Sequence, residues 1–378
     1  MAGRSAAPPS LGEGTKLNDY TLVRRLGTGA MGEVYEAVHA VIGRRVAIKV
    51  LKAGVDEALN ASKRLLEEAR VVNAIRHPGI VDVFDVGVFA GRRPYLVMEL
   101  LEGRSLADRV KAEGALPLPH VLHLLEGVLE ALGAAHRAGI IHRDLKPSNV
   151  FAVGAPPGRV KLLDFGIARR ADREGAPLTA PSMALGSVGF MAPEQLMGQA
   201  VPASDLYAVG CLGFLLATGK PVFPLKNIPE AARRHLSEPP PKVRSLRADA
   251  PPLFEDWVDM LLAKDVAQRP RTAEAALNAL KAVREEHHGA RQRKTERLLG
   301  ATDPLTQAHS AQRTEESSAM SADSLVPPDA PTRVVMTPAK GAGPVPKPQV
   351  GDRTTAKDAA PDDAVGQSTD SDQTLLDS

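Results

Sequence analysis

A single cysteine in 378 residues, Cys211, rules out an internal disulfide and points to a reducing compartment. It lies in the apolar run Val209–Leu216, so a small core residue is expected there rather than a reactive thiol. No apolar run comes near the ~18 residues of a membrane span, so none is predicted. The opening Met-Ala-Gly-Arg-Ser-Ala-Ala-Pro-Pro has no apolar stretch before its prolines, so no secretory signal is expected. Neither charge sign dominates: 47 basic against 45 acidic residues leave a net +2, which argues against a nucleic-acid surface. A cytoplasmic protein is the simplest expectation.

Aromatic residues are only 3% of the chain, and all of them lie between Tyr20 and Trp257. From about 290 to 378 there are none, while Pro, Ser, Thr, Asp and Gly are frequent. Such a segment buries too little apolar area to offset a backbone entropy of roughly 1–2 kcal/mol per residue. Residues 288–378 are therefore expected to be a disordered tail with a helical stub near 291–299, and residues 1–18 a shorter disordered end. Between them, alternating apolar residues over 20–50 predict strands, with turns at 27–32 and 42–44. Leu65, Ala69 and Val72 give one face of a helix over 61–76, stopped by His77-Pro78. Strands are expected again at 81–88 and 95–100. Beyond Gly103 the pattern turns helical, over 106–113, 119–138, 204–218, 230–236, 252–262 and 272–286, with short strands at 150–153 and 160–163. This is an α+β reading: a strand-rich lobe (19–100), a larger helical lobe (104–287) and a cleft between them near 99–103.

Four segments carry chemistry. The first is Gly27-Thr28-Gly29-Ala30-Met31-Gly32. A dinucleotide fingerprint would require a helix next, but Glu33–Val38 alternates at period two; a P-loop would require Gly-Lys-Ser/Thr, and Glu33 follows Gly32. What remains is a hairpin whose backbone N–H groups can approach phosphates, or an ordinary glycine-rich turn. The second is Val46-Ala47-Ile48-Lys49. A lysine in an apolar strand needs an anion, and Glu68 shares the helix face of Leu65, Ala69 and Val72. A Lys49–Glu68 pair would hold the ammonium towards phosphates.

The third and fourth segments are His142-Arg143-Asp144-Leu145-Lys146-Pro147-Ser148-Asn149 and Asp164-Phe165-Gly166. A carboxylate at Asp144 can orient a hydroxyl nucleophile and accept its proton, and Lys146 can neutralise charge on a moving phosphoryl group. Asn149 and Asp164 offer two oxygen ligands, a set that suits Mg²⁺ together with substrate phosphates. An aspartate-rich turn that merely stabilises itself is the bland reading.

In this order the four segments resemble the eukaryotic-type protein kinase family, most closely its bacterial serine/threonine branch, over residues about 20–285. The resemblance implies a two-lobed kinase fold, in which a small antiparallel sheet with one helix precedes a mainly helical lobe. It implies that Gly27, Thr28, Gly29, Ala30 and Gly32 cover the phosphates of ATP, and that Lys49, paired with Glu68, binds the α- and β-phosphates. Asp144 would be the base, Lys146 would assist at the γ-phosphate, and Asn149 and Asp164 would bind Mg²⁺. Leu26, Val34, Ala47 and Phe151 would enclose the adenine, with Met98 as gatekeeper and Glu99 and Leu101 giving backbone contacts. Plain core packing is the alternative for those apolar residues. Ala192-Pro193-Glu194 resembles the end of the activation segment, with Glu194 paired to Arg269 and Asp205 anchoring the catalytic loop.

Three positions depart from the family pattern: Ser187 for threonine, Phe190 for tyrosine and Val266 for proline. Arg143 ahead of Asp144 implies switching by phosphorylation at Thr179 or Ser182, with Arg169, Arg170 and Arg173 as rival determinants of loop order. Protein substrates are the implied partners. Thr302, Thr306, Thr314, Thr332 and Thr337 are either phosphothreonine docking sites for partners or part of an inert linker. A non-catalytic scaffold and a small-molecule kinase remain the competing readings.

Overall fold

The computed structural model describes residues 11–29, 32–51, 66, 69–70, 72–90, 93–165, 185–224 and 227–300. Six strands form an antiparallel sheet in the order β1-β2-β3-β4-β6-β5. They are β1 (Lys16–Leu17), β2 (Tyr20–Thr28), β3 (Gly32–His39), β4 (Arg45–Leu51), β5 (Val83–Phe89) and β6 (Arg93–Glu99). The period-two alternation sorts β4 between the two faces. Val46, Ile48 and Val50 join Leu22, Tyr35 and Val97 in one apolar cluster, while Ala47 turns the other way, into the main core with Leu96 and Met98. Lys49 shares that second side by register, and it pairs with Val34 of β3.

Helical residues 72–75 follow 69–70, with Ala69 and Val72 buried on the sheet side and Leu66 exposed, the face expected from the spacing. Leu17 is fully buried and β1 pairs with β2, and Leu11 packs against the same apolar cluster, so this part of the expected loose end is tied to the sheet. Aromatic content misses this, because one leucine under a sheet edge is enough to fix a short strand.

The second lobe opens with β7 (Gly103–Ser105), α1 (Leu106–Glu113) and α2 (Leu118–Arg137). β7 pairs with β8 (Val150–Val153), which pairs with β9 (Arg159–Leu162). Further along come α3 (Leu185–Val188), α4 (Pro193–Leu196), α5 (Pro202–Thr218), α6 (Ile228–Ser237), α7 (Pro252–Leu261) and α8 (Ala273–Gly300). Ser105 caps α1 by accepting the Asp108 N–H at 3.1 Å. α5 is apolar on every side and lies buried, as an all-round hydrophobic helix must. It ends at Gly219 with φ of 71°, where a Cβ would meet the Ala115 nitrogen at 2.8 Å. Cys211 sits inside α5, and burial pushes its thiol up to about 12, so it stays unreactive.

α8 runs through residue 287, where the sequence places the end of the domain, and on to Gly300. Lack of aromatics argues against a core, but a helix needs only helix-forming residues, and 284–297 is rich in Arg and Glu. No described helix is long and apolar enough to cross a membrane.

Candidate active site

The site forms where three loops of the large lobe meet β4. Lys49 Nζ lies 2.7 Å from Asp164 Oδ1. Loss of hydration would raise the Asp164 carboxyl, but the Lys49 ammonium more than offsets this and holds it below the usual carboxylate value. Asp144 gathers its neighbours: Lys146 Nζ is 2.8 Å from Oδ2, and Asn149 Nδ2 donates to the Asp144 carbonyl at 2.9 Å and to Oδ2 at 3.2 Å. Lys146 also donates to Ser187 Oγ at 2.9 Å, so the serine that replaces threonine keeps a hydroxyl in contact with this cluster.

Two of these loops carry backbone conformations that are unusual for residues with a side chain. Arg143 has φ of 63° and Asp164 has φ of 49°. Each is held from both sides. Asp205 of α5 accepts the His142 N–H at 2.8 Å and the Arg143 N–H at 2.9 Å, and the Gln195 amide donates to the Arg143 carbonyl at 2.5 Å. His136 meets the same Asp205 carboxylate at 2.8 Å. Before Asp164, the Leu163 carbonyl lies 3.0 Å from His142 Nε2; after it, the buried Phe165 ring lies 4.6 Å from the His142 ring. Burial pulls the His142 pKa down, so the ring is neutral: Nε2–H donates to Leu163, and Nδ1 faces the Asp144 N–H at 3.4 Å.

Glu194 and Arg269 form a fork-to-fork pair at 2.7 and 2.9 Å, with Arg269 also bonded to the carbonyls of Ala203 and Ala263. Ser204 donates to Glu194 at 2.6 Å. Burial alone would raise the Glu194 carboxyl; the Arg269 guanidinium and the Ser204 hydroxyl reverse that and hold it low.

At the other end of the cleft, Ala47 pairs with Met98 across β4 and β6, and Val34, Ala47 and Met98 all contribute to the main core. Leu26 is partly exposed, while Phe151 and Leu101 are half-buried. A Cβ on Gly32 would meet the Val50 carbonyl at 2.1 Å, whereas nothing lies within 4 Å of one on Gly27. The Gly29 N–H donates to the Gly32 carbonyl at 2.8 Å and closes the hairpin at its base. Glu99 turns its carboxylate to Lys161 and the Asp82 N–H, and its own N–H reaches the Asp82 carbonyl at 3.0 Å.

Glu68, Ala30, Met31 and Gly166 lie outside the described residues. So do Arg169, Arg170, Arg173, Thr179 and Ser182, and the threonines of the tail. The sequence reading missed the clamps made by His142, His136, Gln195 and Ser204. A histidine inside the apolar end of α2 was the one signal for His136; a glutamine beside Glu194 gives no hint of its carbonyl partner.

The protein kinase domain family matches residues 20–280, and the chain belongs to that family. It is 41% identical over 270 residues to the serine/threonine-protein kinase PknA of Mycobacterium tuberculosis, a match covering 70% of this chain and 61% of PknA. It is 40% identical over 289 residues to the serine/threonine-protein kinase Pkn1 of Myxococcus xanthus, covering 75% of this chain and 40% of that one. The chain thus spans about 61% of the length of PknA. Among solved structures it is similar to the Mycobacterium tuberculosis PknI kinase domain, with a TM-score of 0.57 and 28% identity over 73% of this chain and all of that one.

Proposed function

We propose that this protein is a serine/threonine protein kinase that transfers the γ-phosphoryl group of ATP to hydroxyls of other proteins and of its own chain. The observation that carries the reading is the convergence of Lys49 and Asp164 at 2.7 Å with the Asp144–Lys146–Asn149 cluster on the neighbouring loop. Lys49 binds the α- and β-phosphates. Gly27, Gly29 and the turn between them offer N–H groups to the phosphates, and the space beside Gly27 favours this. Leu26, Val34, Ala47 and Phe151 enclose the base, Met98 limits the pocket, and the Glu99 carbonyl and Leu101 backbone meet its polar edge.

In the transfer, the acceptor oxygen bonds to the γ-phosphorus, the bond to the β,γ-bridging oxygen breaks, and the hydroxyl proton passes to Asp144. Lys146 and Asn149 fix the Asp144 carboxylate in place, and Lys146 faces the moving phosphoryl charge. The donor set fits a divalent magnesium ion. The Asn149 amide nitrogen is engaged by Asp144, so its oxygen, 3.4 Å from Ser148 Oγ, is the ligand on offer, and the Asp164 side chain is one-third exposed. When bound, that ion neutralises phosphate charge. Glu68 is proposed as a second partner of Lys49.

The same reading places the protein in the cytoplasm, with regulation by phosphorylation at Thr179 or Ser182. It gives the tail threonines, Thr302 to Thr337, the role of phosphothreonine sites for partners. Incubation with radiolabelled ATP and magnesium, followed by site mapping, tests it. Wild type labels itself and a basic test protein on Ser and Thr, and Asp144→Asn loses about 10²–10⁴-fold in rate. Equal labelling by Asp144→Asn refutes the assignment.

A further inference from the structure

Behind the segment that joins the lobes lies a second cavity of about 720 Å³, which shares no residue with the Lys49–Asp164–Asp144 cluster and meets the proposed nucleotide site only at Glu99 and Leu101 of the connection. It falls in the ~300–1,000 Å³ range of ligand-binding clefts. Four segments build it: residues 77–82 after the small-lobe helix, 99–102 of the connection, 123–130 of α2, and 153–161 around the β8–β9 turn. Pro78, Leu100, Leu101, Val153 and Val160 give it apolar walls. Its carboxylates are Asp82, Glu99, Glu102, Glu126 and Glu130, against two fixed cations, Arg159 and Lys161.

The carboxylates differ in how they are satisfied. Glu99 is paired with Lys161, and Glu102 reaches Arg45 at 3.4 Å. Asp82 and Glu130 have no ion-pair partner among the described residues. Glu126 is 9% exposed: its Oε2 takes Arg284 at 2.7 Å, and its buried Oε1 has no hydrogen-bond partner. A buried carboxylate oxygen left without a donor marks a place where a donor is wanted. Among the described residues no three acidic, histidine or cysteine side chains converge as a metal set. The negative charge is therefore spread along the cavity, which suits a ligand with separated cations and apolar groups between them rather than a single ion.

We propose that this cavity is a docking site for an arginine-bearing, otherwise aliphatic segment of a protein partner, with a guanidinium donating to Glu126 Oε1 and a second cation lying between Asp82 and Glu130. A planar guanidinium can serve the carboxylate oxygen that Arg284 leaves without a donor, and the walls take the aliphatic side chains. A partner held here leaves the phosphoryl-transfer cleft open and raises the local concentration of its own hydroxyls at that cleft. The binding stands apart from the kinase reading; only its effect on turnover rests on it.

The test measures fluorescence anisotropy of the full chain with a fluorescein-labelled decapeptide carrying two arginines followed by two leucines. Its control peptide has both arginines replaced by citrulline. Wild type should bind the arginine peptide, more weakly at high salt, and not the control. Asp82→Asn with Glu130→Gln should weaken binding by about threefold to tenfold per charge removed, and adding Glu126→Gln should weaken it further. Because Glu126→Gln also disturbs Arg284, the pair of exposed variants decides the matter should the triple variant fail to fold. Appending the peptide to a short acceptor should lower its KM for wild type but not for the pair variant. Unchanged affinity in the pair variant, or equal binding of the citrulline peptide, overturns the proposal. Spermine alone binding more tightly than the peptide reassigns the cavity to a small polycation and overturns it too. Peptide binding by a wild type that transfers no phosphate sinks the kinase reading and leaves this site standing.

Discussion

Asp205 is the residue whose loss should separate the fold from the site most clearly. Its carboxylate is 1% exposed and accepts the backbone N–H groups of His142 and Arg143, at 2.8 and 2.9 Å, as well as meeting His136. Asp205→Ala strands two backbone donors at the root of the catalytic loop. Each buried donor left unmade costs about 1–3 kcal/mol, so the variant should lose roughly 4 kcal/mol. For a domain of this size about 2–4 °C accompanies each kcal/mol, so the melting temperature should fall by about 8–16 °C. Asp205→Asn keeps one acceptor oxygen but turns an NH₂ towards a donor, so about half that loss is expected. Activity should suffer more than stability. Arg143 holds φ of 63° with its N–H and carbonyl both engaged, and release of one side should let Asp144 drift. Thermal melts and urea titrations at 15 °C, with phosphotransfer rates corrected for the folded fraction, measure both. A melting point for Asp205→Ala within 2 °C of wild type (about 1 kcal/mol or less) would mean that the Asp205 carboxylate does not carry that loop.

Arg269→Met leaves the Glu194 carboxylate buried without its fork and should cost about 3–5 kcal/mol, while Glu194→Gln with Arg269→Met should cost less than the two single changes together; strict additivity in urea melts would count against a coupled pair. Gly32→Ala drives a methyl into the Val50 carbonyl and should lower the melting temperature, whereas Gly27→Ala should leave it unchanged and raise KM for ATP; equal melting shifts would dismiss the contrast. Burial, with the Lys264 ammonium beside it, holds His235 at about 4 against an ordinary 6.5, so the native ring resists a proton that the unfolded chain accepts. Stability from this group is therefore complete above about pH 6.5 and lost as pH falls towards 4, about 2–3 kcal/mol by pH 4.5, and His235→Gln should flatten that slope. Parallel slopes for wild type and variant would exclude His235 as its source.

Much of the site could be read from spacing because its chemistry sits at the ends of regular elements. Alternation in β4 put Lys49 on the side of Ala47, opposite Val46 and Ile48, and the apolar strand before Asp164 aimed that residue at the cleft. The pairing of Glu194 with Arg269, 75 residues apart, was legible only through the family resemblance, since no periodicity links the two positions. The β1 strand and the joining of the 272–286 helix to the 291–299 stub in one α8 escaped for a different reason. Composition speaks to whether a segment can build a core of its own, and neither segment has to: Leu17 borrows the sheet, and α8 leans on α2 through Arg284 and Glu126. The cavity behind the connection was illegible because four separated segments supply its walls, none with a pattern of its own.

The polar anchors explain how irregular loops hold the geometry on which the proposed phosphoryl transfer depends. Asp144 and Asp164 lie on irregular backbone, where a shift of about 1 Å is enough to cost roughly a hundredfold in rate. Regular structure contributes one 3-10 turn at Pro147–Asn149, closed by the Asn149 N–H to the Lys146 carbonyl at 2.9 Å. Both are also tied to buried groups: Asp205 on the largely buried α5, and the neutral His142 ring, which touches both flanks of Asp164. A neutral ring is required there, because Nδ1 must accept while Nε2 donates, and a proton on Nδ1 would turn that acceptor against the Asp144 N–H. Burial secures this by keeping His142 uncharged near neutral pH. The strain at Arg143 is thus carried directly by α5, and that at Asp164 through His142, so that the stability of α5 and the alignment of the proposed reacting groups are one property of the fold.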